Sequence, residues 1–179
     1  MSVETLAILG AGDAGIAVAR LAALAGLHVR LWDPSEAALH GALLLVRQLL
    51  ERAVQDGEVP PNHRQTILDG VLATTDLEEA VLGADAVLET GPEAPGVRAD
   101  VLARAGAAAP GATLIASGSL EAVRALLPDA TRLVGLALGE RPGRGPPVAL
   151  ECASSSPEAR ERARALAFSL ARAASVHRA

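Results

Sequence analysis

The 179-residue sequence has no lysine and no tyrosine, and only one residue each of cysteine, methionine, phenylalanine and tryptophan. Each scarcity excludes something. Without lysine no mechanism that needs a catalytic lysine is possible; all 16 basic residues are arginine. A single cysteine, Cys152, permits no intrachain disulfide and fits a reducing compartment. The near absence of aromatics removes the platforms on which single-stranded nucleic acids stack. The net charge of −5, with no basic block, argues against nucleic acid or an anionic membrane as partner. The start, MSVETLAILG, lacks the basic region and apolar stretch of a signal peptide, and the apolar run from Leu43 to Val46 is far too short to span a bilayer. These absences together lead to the expectation of a soluble, cytoplasmic protein.

What is abundant is Ala, Leu and Val, in a chain whose residues are 50% apolar. The length suits one domain with a sizeable core. Short apolar runs at Thr5–Leu9, His28–Trp32, Val71–Ala73, Ala86–Glu89, Thr113–Ala116, Arg132–Leu138 and Val148–Cys152 read as strands. Between them, helical patterns are expected over 16–25, from Ser35 to about Asp56, near 64–67, and over 77–82, 96–107, 120–127 and 157–173, with a last short strand at Ser175–His177. Residues 139–147 (GERPGRGPP) read as a loop. Strands alternating with helices predict an α/β domain: a Rossmann-type, doubly wound, mostly parallel sheet with helices on both faces.

The motif with most chemical content is Gly10-Ala11-Gly12-Asp13-Ala14-Gly15, which fits G-x-G-x-x-G. Alone it is a weak signal in a chain rich in Gly and Ala. Its context strengthens it: an apolar strand precedes it, a helix follows, and the next strand ends in an acid. Gly10 permits a tight turn, Gly12 makes room for a pyrophosphate, and Gly15 lets the helix pack closely. The helix start then offers free N–H groups and a positive dipole to the phosphates. Asp33 stands where a carboxylate would accept the adenosine ribose hydroxyls and repel a 2′-phosphate, and no Arg follows at Pro34 or Ser35, so the expected cofactor is NAD rather than NADP. Asp13 inside the loop is tolerable if it points outward.

Five ordered stretches, 7–39, 73–93, 110–120, 132–142 and 147–166, resemble the N-terminal domain of the 3-hydroxyacyl-CoA dehydrogenase family. The resemblance implies a single NAD-binding domain over 1–179, with the family's helical C-terminal domain absent. Gly10, Gly12, Gly15 and Asp33 match its cofactor loop and acid. Thr90 and Gly91 would pass their backbone beside the cofactor, Glu93 matches a glutamate near the nicotinamide ribose, Arg98 stands where a lysine usually lies, and Ser117 matches a cofactor-side serine. The catalytic side is altered. The family's general-base histidine aligns with Ala137, so Glu151, matching the glutamate that orients that histidine, has nothing to orient. Ser119 matches a substrate-contacting serine loosely. None of His28, His40, His63 and His177 is expected near Ala137, no His or Cys cluster has metal spacing, and Arg141 and Arg144 mark the one basic loop.

The implied function is an NAD(H)-binding protein resembling an oxidoreductase of fatty-acid metabolism, impaired at its base. Its expected partners are a small-molecule substrate such as an acyl-CoA and a second copy in a homodimer, since the surface left by the missing domain would be partly apolar. The alternatives are a non-enzymatic NAD(H)-responsive module and an oxidoreductase completed by a partner subunit.

Overall fold

The structure is a computed structural model that describes residues 2–91, 94–118, 120–138 and 154–176, with the backbone alone for 148–150 and at Val176. Seven strands, β1 (Thr5–Leu9), β2 (His28–Trp32), β3 (Val71–Thr74), β4 (Ala86–Glu89), β5 (Thr113–Ser117), β6 (Leu133–Ala137) and β7 (Val148–Leu150), form one sheet in the order β3-β2-β1-β4-β5-β6-β7. The first six are parallel; β7 runs antiparallel against β6. The helices are α1 (Asp13–Leu24), α2 (Glu36–Gln55), α3 (Arg64–Asp69), α4 (Leu77–Val81), α5 (Pro95–Ala108), α6 (Leu120–Arg124) and α7 (Pro157–Val176), with a 3₁₀ turn at Pro61–His63.

The alternation of side chains along each strand splits the core in two. Leu6 and Ile8 of β1, Leu88 of β4 and Ile115 of β5 pack under α1, α2 and α7. Ala7 and Leu9 of β1, Val87 of β4 and Leu114 of β5 pack under α4, α5 and α6. Both faces of the central strands are therefore buried, which is why these strands read as unbroken apolar runs. The small residues let the helices approach closely: Ala19, Ala22, Ala105 and Ala163 are fully buried.

Polar side chains pin the edges. Asp85 Oδ2 accepts from the amides of Glu4 (2.8 Å) and Thr5 (3.0 Å), fixing the entrance to β1. Arg132 donates to the carbonyls of Gly106, Ala109 and Ala112, each at 3.0 Å, closing the end of α5. At the end of α1, Gly26 has φ +82°; its amide reaches Ala23 O at 3.0 Å and the Leu27 amide reaches Ala22 O at 3.0 Å, the reciprocal pair of a left-handed helix stop.

Two expected boundaries are corrected. Helix α1 begins at Asp13 rather than Ile16, because Gly12 already serves as its N-cap and an acid at the first position suits the helix dipole. Ser175 lies in α7 and not in a final strand, since Ala173 and Ala174 are buried against the core and carry the helix onward. The expected loop at 139–147, with Arg141 and Arg144, together with Cys152 and His177, lies outside the described residues. No described helix is long and apolar enough to cross a membrane.

The chain visits β2 and β3 on one side of β1 and then crosses to β4, β5 and β6 on the other. The order therefore reverses between β1 and β4, and in such sheets the crevice beyond the carboxyl ends of the strands at the reversal takes the ligand.

Candidate functional site

Leu9, the last residue of β1, stands in register with Trp32 on one side and Glu89 on the other. The chain then turns at Gly10, whose φ of +115° is costly for any other residue. The Gly10 amide donates to Trp32 O at 2.8 Å, and the Thr90 amide donates to Leu9 O at 2.9 Å. The Thr90 hydroxyl lies 3.1 Å from Leu9 O and 3.3 Å from Gly10 O, bracing the turn from β4.

The three glycines differ in what a methyl would meet. At Gly10 it would sit 2.9 Å from Thr90 Oγ1; at Gly15 it would sit 1.9 Å from the carbonyl oxygen of Gly10; at Gly12, its chain neighbours aside, nothing among the described residues lies within 4 Å. Gly15 is thus small because the first turn of α1 rests on the end of β1. Gly12 is small toward open space, where only a ligand would feel the difference.

Asp33 follows β2. Its Oδ2 accepts from the Ala11 amide and its Oδ1 from the Ser35 amide, both at 2.9 Å. The carboxylate thus ties the glycine loop to the start of α2, where the Ser35 hydroxyl caps the Ala38 amide at 3.2 Å. Each oxygen keeps a second acceptor direction for a ligand hydroxyl.

These elements enclose a cavity of about 370 Å³. Gly10, Ala11, Gly12 and Asp33 form one end, Trp32, Pro34, Val97 and Val101 an apolar wall, and Glu89, Thr90, Gly91 and Arg98 the other end. The indole Nε1 of Trp32 donates to Thr75 O at 3.0 Å, which fixes the ring as part of that wall.

Glu89 and Arg98 are both buried. Arg98 uses Nε and Nη2 on Glu89 Oε2, and its Nη2 also reaches Ser117 O; the Gly91 amide donates to Glu89 Oε1 at 2.6 Å. One guanidinium therefore joins the carboxyl ends of β4 and β5 to the first turn of α5.

Of the sequence-predicted residues, Gly10, Gly12, Asp33, Thr90, Gly91 and Arg98 converge on the cavity. Asp13, exposed, and Ala14 stand on the first turn of α1 outside its lining, and Gly15 is buried behind it. Ser117 closes β5 and presents its carbonyl to Arg98. Ala137 closes β6, half-buried, at the same edge of the sheet. Glu93, Ser119 and Glu151 lie outside the described residues. Sequence reasoning missed Trp32 as a wall and Glu89 as the partner of Arg98. The signal for Glu89 was an acid closing an otherwise apolar strand.

A model of the family "3-hydroxyacyl-CoA dehydrogenase, NAD binding domain" matches residues 5–133. The chain belongs to that family. A 3-hydroxybutyryl-CoA dehydrogenase of Mycobacterium tuberculosis is 29% identical over 102 residues, 57% of this chain and 35% of the relative. A 3-hydroxyadipyl-CoA dehydrogenase of Escherichia coli K12 is 29% identical over 140 residues, 76% of this chain and 29% of the relative. The crystal structure of a 3-hydroxybutyryl-CoA dehydrogenase from Escherichia coli K12 superposes with a TM-score of 0.85 at 25% identity, over 95% of this chain and 37% of the other. The chain thus spans about a third of the length of these relatives. The cofactor of this NAD-binding domain is NAD, and the site fits it: an α1 start with no side-chain cap, a glycine whose Cβ direction is open, and an acid at the end of β2. The match ends at Leu133, short of Ala137.

Proposed function

We propose that this 3-hydroxyacyl-CoA dehydrogenase-type domain holds NAD(H) through Gly10–Gly15, Asp33 and the Thr90–Gly91 backbone, and that its oxidoreductase chemistry on an acyl-CoA is impaired at Ala137. The cavity at the strand-order reversal carries the reading, because it joins the open Gly12 and the braced Asp33 in one cleft. The amides of the first turn of α1 would receive the pyrophosphate, Asp33 the adenosine ribose, and Trp32, Pro34, Val97 and Val101 the adenine. Glu93 and Ser117 belong to the nicotinamide side, and Ser119 and Glu151 to the substrate side. Bound NAD supplies the hydride acceptor. The 3-hydroxyacyl-CoA substrate class is taken from the names of the relatives. A residue at the position of Ala137 would have to take the hydroxyl proton, and a methyl group cannot. For that reason a non-catalytic NAD(H)-responsive module is the second reading.

The test uses the single tryptophan, which lines the cleft. Titration with NADH is expected to quench Trp32 fluorescence, with NADPH weaker because Asp33 repels a 2′-phosphate. Asp33→Ala, which removes a charge-assisted acceptor, is expected to weaken NADH about tenfold or more. No quench and no heat of binding at millimolar NADH would overturn the reading.

The homodimer belongs to the same proposal. Leu72 on β3, Leu44 and Leu45 on α2 and Phe168 on α7 are large apolar side chains left exposed. Light scattering is expected to give about twice the 18.1 kDa chain mass; the mass of one chain, independent of concentration, would refute it.

A further inference from the structure

Arg98 stands where the family resemblance leads one to expect a cation that contacts the cofactor. Its surroundings give it a different task. The side chain is 7% exposed and that of Glu89 4%, so neither is a surface ion pair. Two of its nitrogens are engaged by Glu89, and one of these also by the Ser117 carbonyl. The other carboxylate oxygen of Glu89 holds the Gly91 amide. The third nitrogen, Nη1, faces Gly118, which turns with φ +82° just after β5.

The three segments joined in this way, the loops after β4 and β5 and the first turn of α5, border the half of the crevice opposite the glycine loop. A dinucleotide spans both halves of such a sheet. With its pyrophosphate at α1 and its adenosine ribose at Asp33, the second nucleoside must lie over β4 and β5. We infer that the Glu89–Arg98 pair is a positioning clamp for that second nucleoside, fixing the Thr90–Gly91 and Ser117–Gly118 segments while presenting no net charge to the nicotinamide ring. The inference rests on the NAD(H) reading given above. Arg98 is well suited to the task because its planar fork serves a carboxylate and a carbonyl together.

ADP-ribose separates the clamp from the rest of the site, since it has the adenosine, pyrophosphate and a ribose but no nicotinamide. Binding of NADH and of ADP-ribose is measured calorimetrically for the unmodified protein, Arg98→Met and Arg98→Lys. Arg98→Met is expected to weaken NADH about tenfold or more and ADP-ribose by less than about twofold, and Arg98→Lys, which keeps the charge but not the fork, to recover only part of the NADH loss. The NAD⁺-to-NADH affinity ratio is expected to rise in Arg98→Met, where the Glu89 carboxylate is left to face the cationic ring of NAD⁺. Equal weakening of both ligands, or no change in either, overturns the clamp. Should Arg98→Met fail to fold, the double variant Glu89→Gln/Arg98→Met, which leaves no buried charge, is expected to show the same split between the two ligands; NADH binding equal to that of the unmodified protein would overturn the clamp there as well. An unmodified protein that binds ADP-ribose but not NADH also overturns it. One that binds neither ligand refutes the underlying NAD(H) reading instead.

Discussion

Gly15→Ala is expected to be severely destabilising for a change of a single methyl. The new Cβ would lie 1.9 Å from the carbonyl oxygen of Gly10, and 3.0 Å from its carbonyl carbon. Both contacts are to backbone, so no rotamer change relieves them. Either α1 lifts from the end of β1 or the Gly10 turn opens, and each breaks something already fixed: Gly10 N on Trp32 O, or the Thr90 hydroxyl beside Gly10 O. Lifting α1 also uncovers Val18, Ala19 and Ala22, which are buried against the sheet. The cost should reach or exceed about 3 kcal/mol, the upper part of the range for overpacking, seen as a lowered midpoint in thermal or urea unfolding. Gly12→Ala is the matched control. Among the described residues, its chain neighbours aside, no atom lies within 4 Å of its Cβ position, so the midpoint should stay near that of the unmodified protein while NADH binding falls, because the methyl occupies space meant for the pyrophosphate. A Gly15→Ala protein of unchanged stability would show that the strand end and helix start are not packed as described.

The contrast between these two glycines also shows what the sequence could and could not reveal. The spacing of the motif told that small residues were needed at 10, 12 and 15, because steric demands in a strand–turn–helix unit recur with that spacing. The strands were legible because both sheet faces are buried and the apolar runs are short and bounded by Gly, Asp or Thr. The mostly parallel sheet followed from the alternation of elements, but the order of its strands did not. The stop of α1 at Gly26 and the Asp76 cap of α4, whose side chain accepts from the Glu79 amide at 3.0 Å, were written in local residue types. Long-range pairings were not. Arg98 could be placed at the cleft from the sequence, but its partner Glu89 lies on another element, and a pairing across nine residues of turn and helix start has no local signature. The same holds for Arg132, which closes α5 from just before β6, with β5 and α6 between them in the chain, and for Trp32, whose orientation is fixed by a carbonyl 43 positions away. The end of α7 was misjudged for a related reason: burial of Ala173 and Ala174 is a tertiary fact, and tertiary packing decides where a helix of good formers stops.

The other large effect concerns turnover. With acetoacetyl-CoA and NADH, the rate is expected to fall about 10²–10⁴-fold below that of a dehydrogenase with an intact acid–base residue, which in this direction gives the carbonyl oxygen its proton as hydride arrives; that is the usual cost of losing a positioned proton-transfer group. The position of Ala137 is the basis. It closes β6, and β6 lies beside β5 with Ser117 in register with Leu136, so Ala137 stands at the carboxyl edge where the second nucleoside would present its reacting ring. Reduction of the ketone there would need a proton donor at that edge, and the described histidines are elsewhere. His28 opens β2 at the opposite edge of the sheet, exposed and near Gly70; His40 is exposed on α2; His63 is exposed in the 3₁₀ turn after α2. Glu89 is at the correct edge, but its oxygens are held by Arg98 and the Gly91 amide. Stopped-flow oxidation of NADH, followed by the absorbance of the reduced nicotinamide, gives the rate directly. Turnover matching an intact dehydrogenase would mean that another group carries the proton and that the impairment proposed at Ala137 is wrong. Ala137→His supplies the missing proton-transfer group at the correct edge, a donor in this direction, so a rise in rate in that variant, with NADH affinity unchanged, is the expected companion result, and it assigns the deficit to the proton step rather than to the cofactor cleft.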